Sequence, residues 1–465
     1  MQVPAASPPL WAVAPFALYL LLIAALPLVA AHFWDQNRNK LVVAVIASAP
    51  VIVYLTTGAP LGLIWLADSA REYVAFMALL LSLFVITGGV HLRGALVGTP
   101  RVNTALLAVG VLLANLIGTT GASLLLIRPL LRANRGRQRR VHMVVFLIFL
   151  VSNGAGMLTP LGDPPLFLGF LRGVPFFWTM RLIGPWAFVN GSLLVIFAIL
   201  DTVMLRGEAR HPAAPPIQAP ARAAEPLRIA GGFNFVWLLG VVLVIYLSGA
   251  HAQALGDNAY LHTLLQVAGV LVFAGLSFRL TPRALREANR FSWAPIIEVA
   301  VVFLGVFVTM VPALRLLSSQ GAALGVTKPW QFFWASGLLS GFLDNAPTYL
   351  TFTTLAVAVV NQLTGSHLSA EHLAGLGAHP VGAGLLAAIS CGSVLMGALS
   401  YIGNGPNFMV KALAEQGPGD GDQEGDGEGE GDGDSKVRMP SFFGYLAWSG
   451  GILIPLFVAL TFIFF

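Results

Sequence analysis

Residues Ser152 to Leu168, SNGAGMLTPLGDPPLFL, lie inside an apolar run long enough to cross a bilayer, yet they carry one carboxylate, three prolines and three glycines. In hydrocarbon every backbone N–H and C=O must find a partner within the protein, so an interruption of this kind is tolerated only where other segments surround it. The stretch occurs twice. A slide of 241 positions lays Ser152, Gly156, Leu158, Gly162, Pro165 and Phe167 on Ser393, Gly397, Leu399, Gly403, Pro406 and Phe408, with Thr159 on Ser400. Paired interruptions at corresponding places in two halves point to the binding site of a secondary transporter.

Composition fixes the solvent. Of 465 residues 57% are hydrophobic and 10% charged, whereas a soluble domain carries about a quarter charged residues. The chain cannot cover itself with polar surface, so the lipid bilayer is its first partner, and a polytopic all-α membrane protein follows. Net charge is +5, but nine of the 21 acids fall between Glu415 and Asp434; outside that run the balance is 26 minus 12, or +14. The bases are scattered over loops, which suits cytoplasmic loops and not nucleic-acid binding. The single Cys391 excludes internal disulfides and cysteine metal clusters. With no charged n-region before Trp11 to Phe33, the first span reads as uncleaved.

Apolar runs cover about 12–31, 41–57, 73–90, 104–131, 141–177 and 182–203, then 233–247, 261–278, 296–316, 332–360, 381–413 and 442–465. Several exceed the roughly 20 residues that one span needs, so they are tilted, broken or doubled back, giving about 10–13 membrane segments. Residues 1–205 form a first repeat, 206–230 a Pro/Ala-rich cytoplasmic linker, and 231–465 a second repeat. The acidic loop 415–434 within the second repeat reads as a solvated spacer.

A slide of 226 positions extends the repeat upstream. It places Glu72 on Glu298, Leu112-Leu113 on Leu338-Leu339, Gly118 on Asp344 and Thr119 on Asn345. The segment Arg128–Arg140 holds six arginines and belongs in the cytoplasm, while the corresponding loop Asn361–Pro380 holds no Lys or Arg. Matching loops on opposite sides define an inverted repeat.

Polar groups at membrane depth are costly and therefore candidate function. Asp344 heads them: it sits beside Asn345 and before Pro347, which removes an ordinary helix bond. A carboxylate there exchanges a cation for a proton, or alternatively caps a helix fragment. Ser152, Asn153 and Thr159 in the first interruption, with Ser393, Ser400, Asn404 and Asn407 in the second, supply neutral oxygens beside kinks. Asp163, matched by Asn404, reads either as an ion contact or as an N-cap. Glu298 is a candidate proton carrier, and Glu72 an interface residue. Lys411 reads either as a base that neutralises an acid or attracts an anion or as a snorkelling lysine, and His142 as an interfacial side chain.

Three stretches, SNGAGMLTPLGDPPLFLGF, GFLDNAPTYLTF and YIGNGPNFMVKA, resemble the ion transporter superfamily, in the group of NhaD-type sodium:proton antiporters and citrate transporters. The resemblance implies a multi-pass protein of the bacterial inner (cytoplasmic) membrane, whose two inverted repeats each give a helical hairpin and a broken helix. It implies ions near Ser152-Asn153-Gly154 and Gly403-Asn404-Gly405, and sodium at an Asp-Asn pair in a broken span, here Asp344-Asn345. Asn153 and Asn404 complete the expected sodium contacts. Two departures stand out: Gly118-Thr119-Thr120 faces Asp344-Asn345-Ala346, and Ser393 is not followed by Asn.

The expected function is sodium (or related monovalent cation):proton antiport by alternating access. The alternative is sodium- or proton-coupled transport of citrate, another carboxylate or a different anion. No enzyme is expected, since no HExxH and no triad at membrane depth occurs. No cofactor is called for beyond the transported sodium ion and proton. The partners are a small inorganic ion or small anion and the bilayer; monomer and homodimer both remain open.

Overall fold

A computed structural model describes residues 8–93, 96–209, 228–250, 259–289, 291–416 and 437–465. The helices are α1 (Ala14–Val29), α2 (Ala31–Trp34), α3 (Asn37–Thr57), α4 (Gly62–Thr87), α5 (Pro100–Ala133), α6 (Val141–Leu150), α7 (Pro164–Leu171), α8 (Ile183–Ala209) and α9 (Asn234–Ala250). The second half continues with α10 (Ala259–Leu280), α11 (Arg283–Ala288), α12 (Ala294–Gln320), α13 (Pro329–Ser340), α14 (Asn345–Thr364), α15 (Ala374–Ala378), α16 (Pro380–Leu395), α17 (Gly405–Gln416) and α18 (Phe442–Phe464). Among the described residues nine helical segments are long and apolar enough to cross a membrane, and the protein is an all-α polytopic membrane protein. The only strands among those residues, β1 (His91–Arg93) and β2 (Arg228–Ala230), form a short antiparallel pair. Of the acidic run 415–434 only Glu415 and Gln416 are described, at the end of α17; of the linker 206–230, residues 210–227 lie outside the description.

Contacts at the two ends of the bundle establish the topology. At one end Gly98 N–H donates to Ala133 O (2.8 Å), and Asn103 and Asn134 exchange side-chain bonds of 3.0 and 2.8 Å. Both ends of α5 therefore lie together. Gly118 (φ 77°, ψ 155°) breaks the helix midway, so the 34-residue segment doubles back as a hairpin. Only glycine adopts that backbone cheaply. The same end gathers β1 and β2, the start of α9 (Asn234 Nδ2 to Gly89 O, 3.0 Å), α11 (Arg286 Nη1 to Val85 O, 2.8 Å) and the end of α8 (Asp201).

At the opposite end Arg172, after α7, pairs with Glu72 of α4, and Leu373 N–H donates to Arg172 O (2.6 Å). Trp334 of α13 bonds Thr461 of α18, and Phe188 packs on Phe464. Helix α13 runs alongside α16: a methyl on Gly384 would stand 3.9 Å from Pro329, and Ser340 Oγ donates to Ser393 O (2.6 Å). Helices α13 and α14 are thus the second hairpin, entering from the end opposite to α5.

Among the described residues each half then has five crossings: α1, α3, α4, α6 with α7, and α8; then α9, α10, α12, α16 with α17, and α18, the α5 hairpin not counting as one. At about 1.5 Å per residue, α6 and α7 are each too short to span a core of about 30 Å, and only together do they cross. An odd number of crossings starts the second half from the other side, which makes the repeat inverted. The arginines between Arg128 and Arg140 sit at one end, and the loop after α14 sits at the other.

Candidate functional site

The two interruptions are built alike. In the first, a Cβ on Gly156 would meet Gly162 O at 2.7 Å; in the second, a Cβ on Gly403 would meet Gly397 O at 2.6 Å. These glycines let each chain fold back on itself. Thr159 Oγ1 donates to Asn115 O (2.5 Å), and Ser400 Oγ donates to Gly341 O (2.5 Å). Thr159 and Ser400 are 241 apart, Asn115 and Gly341 are 226 apart, so both sequence slides recur as one duplicated hydrogen bond. In each half it ties a broken crossing to its hairpin tip.

The interruptions meet each other inside the bundle. Asn404 Nδ2 donates to Ser152 O (3.0 Å) and to Asn153 Oδ1 (3.1 Å). Asn153 Nδ2 donates to Asn407 Oδ1 (2.7 Å) and Ile148 O (2.8 Å), while Asn407 Nδ2 serves Gly397 O and Ser400 O at 2.8 and 2.9 Å. Ser152 Oγ pairs with Ser123 Oγ at 2.8 Å. Buried polar groups that all find partners hold a rigid frame. Ser393 spends its hydroxyl on Ile389 O (2.7 Å) within its own helix.

At the centre stands Asp163, 1% exposed. It occupies the N-cap position of α7, but its side chain makes no capping bond. Instead Oδ1 accepts from Thr119 Oγ1 (3.0 Å) and Oδ2 from Asn345 Nδ2 (2.5 Å). Thr119 and Asn345 are equivalent positions at the tips of the two hairpins, each the first residue after its break. One carboxylate is held by the matching residues of both repeats. Asp344 has the capping geometry instead: its Oδ1 accepts from Ala346 N–H (3.0 Å), and its backbone carbonyl accepts from Thr348. The broken span expected for Asp344-Asn345 is a hairpin tip, because α13 and α14 enter and leave at the same end.

Asp163, Asp344 and Asn404 line a common cavity of about 100 Å³ together with Gly118 and Thr119. Its remaining wall includes Phe76, Val299 and Phe303. Among the described residues none of the lining side chains is basic. Asn345 Oδ1, next to Asp163, is buried without a hydrogen-bond partner.

Glu298 lies outside this centre. Its Oε1 is 2.6 Å from Lys40 Nζ, and its side chain is 45% exposed. Glu72 bonds both oxygens to Arg172 at 3.0 Å, Lys411 pairs with Glu415, and His142 belongs to a buried cluster around Asp201. Thr119 is the residue that sequence reading passed over. Its match to Asn345 in the 226-position slide was the available signal.

A family model described as "Putative citrate transport" matches residues 5–465. The chain belongs to this family. No curated protein matches it. Membership across nearly the whole length makes this a multi-pass transporter of the citrate-transport family, and the paired interruptions are where its sequence and geometry place the polar centre.

Proposed function

We infer that the protein is a secondary active transporter whose centre takes a monovalent cation, sodium or a close relative, in exchange for a proton. The observation that carries this reading is the Asp163 carboxylate suspended between Thr119 and Asn345. A carboxylate so placed is stabilised by binding a cation or a proton, and one site cannot hold both at full charge. Asp344 adds a second acid to the same cavity, and Asn345 Oδ1 offers a buried oxygen of the kind hard cations take. Because both hairpin tips hold the same carboxylate, a change in its occupancy is felt by both repeats. That gives exchange of the bound ion a route to alternating access.

The family description favours a second reading, in which a carboxylate such as citrate moves with the bound cation. An acid-lined centre repels a bare citrate anion, so the cation would have to enter first or together with it. Everted or reconstituted vesicles separate the two, with sodium, lithium, potassium and citrate supplied one at a time. Cation-dependent proton movement that is lost in Asp163→Asn and Asp344→Asn supports antiport. Sodium-dependent citrate uptake without proton exchange overturns it in favour of the second reading. The arginine-rich end is assigned to the cytoplasm of a bacterial inner membrane, which cysteine labelling of the loop after α14 from outside tests.

A further inference from the structure

A second cavity, about 980 Å³, opens at the end of the bundle opposite to the arginine-rich segment. It lies beyond the acid-lined centre along α4 and α12. Phe76 and Phe303 line the centre, Ala75 and Met310 line this vestibule, and Phe307 packs on both Phe76 and Phe303 at 5.8 and 6.4 Å between them. Unlike the centre, the vestibule carries arginines, Arg71, Arg172 and Arg315, which share its wall with the acids Asp68, Glu72 and Glu371.

Its three arginines differ in how firmly they are committed. Arg172 is fully engaged, with Nε and Nη2 each 3.0 Å from an oxygen of Glu72. Arg71 is 3.8 Å from Asp68, beyond hydrogen-bond range; its Nη1 reaches Thr263 at 3.4 Å, and its buried Nε has no partner. Arg315 pairs with Glu371, whose side chain is 59% exposed, and ion pairs in such surroundings contribute little and exchange readily.

Arg71 and Arg315 also share a mode of support. The Arg71 guanidinium lies over the Tyr260 ring (5.7 Å), and that of Arg315 lies over Trp65 (4.8 Å). A ring beneath the plane orients the guanidinium and leaves its N–H edge for a planar oxyanion, which it meets in a bidentate fork. Two such arginines on one cavity suit a ligand carrying two or more carboxylates.

We propose that this vestibule binds a multiply charged carboxylate anion through Arg71 and Arg315, apart from the acid-lined centre. The site concentrates anion at the mouth on this side, whichever ion the centre moves. It does not depend on the antiport reading, because it concerns binding alone.

The test is calorimetric titration of citrate into the full-length protein in lipid nanodiscs, without sodium. The expected result is saturable binding. Arg71→Gln and Arg315→Gln should each raise Kd at least about tenfold, as expected for loss of a charge-assisted bond, and Lys411→Ala, on an ion pair outside the vestibule, should leave Kd unchanged. Three results would overturn the proposal: no binding by the wild-type protein, an unchanged Kd in both arginine variants, or an equal loss of binding in Lys411→Ala. Arg315 is the more exposed arginine, so if Arg71→Gln does not elute as the wild type, Arg315→Gln alone decides. Failure of the antiport reading shows in vesicle fluxes and leaves this titration unaffected.

Discussion

Asn345 Nδ2 donates to Asp163 Oδ2 across 2.5 Å, although the two residues are 182 positions apart and belong to different halves of the chain. With Thr119 on the other oxygen, the bond makes one buried carboxylate the joint between two inverted repeats.

Replacing that carboxylate tests the joint directly. In Asp163→Asn the side chain keeps its size but loses its charge and the charge-assisted character of both bonds, each worth about 1.5–3 kcal/mol. Cation-dependent proton movement in vesicles should fall by roughly ten- to a hundredfold. An unchanged rate in a properly folded variant would remove Asp163 from the coupling machinery.

Thr119 and Asn345 act on the same group, so their removal should not be additive. Thr119→Val and Asn345→Ala each leave Asp163 with one partner, and each should lower stability by about 1–3 kcal/mol. The double variant leaves the carboxylate without either, and the cycle should show a coupling of at least about 0.5 kcal/mol in thermal unfolding. Simple addition would mean that the two repeats grip Asp163 independently.

Asn407 belongs to the frame. In Asn407→Leu, Gly397 O and Ser400 O lose their donor and Asn153 loses an acceptor, all of them buried. Each buried group left unpaired costs about 1–3 kcal/mol, so the melting temperature should drop clearly by scanning fluorimetry. The fraction that folds should retain the wild-type cation dependence; a selective loss of cation affinity at unchanged melting temperature would make Asn407 a ligand.

At the arginine-rich end Asp201 clamps the base of the first hairpin. Its Oδ1 accepts from Arg137 Nη1 (2.6 Å) and His142 Nε2 (2.9 Å), and its Oδ2 from Asn103 Nδ2 (2.8 Å). Asp201→Ala leaves the Arg137 charge buried with only Glu208 at 3.7 Å, a change that costs about 3–5 kcal/mol when one member of a buried pair is removed. Expression and melting temperature should both fall well below those of a Lys411→Ala control on the half-exposed Lys411–Glu415 pair. Equal stability would show that the clamp does not hold the hairpin.

Much of the architecture was legible because membrane depth punishes irregular backbone. Glycines, prolines and acids inside an apolar run mark a break, and two slides of the sequence marked the same break twice. The Thr159–Asn115 and Ser400–Gly341 bonds are those slides in three dimensions. Ser152, Asn153, Asn404 and Asn407 were legible as a group. Their individual bonding was not, since an amide or hydroxyl at a kink reads the same whether it faces a neighbour or an ion. Glu298 illustrates the limit: an acid in apolar sequence is indistinguishable from a proton carrier until Lys40, 258 residues away, is seen beside it.

The sequence by itself determined a polytopic helical protein, an inverted repeat and the location of its paired interruptions, because hydropathy, loop charge and internal similarity are local or pairwise properties of the chain. Only the tertiary structure decided which acid stands where. Asp344 has a capping partner two residues away, and the local chain supplies it. Asp163 has partners at 44 and 182 residues' distance, and only packing two hairpin tips against one broken helix brings them to the same carboxylate.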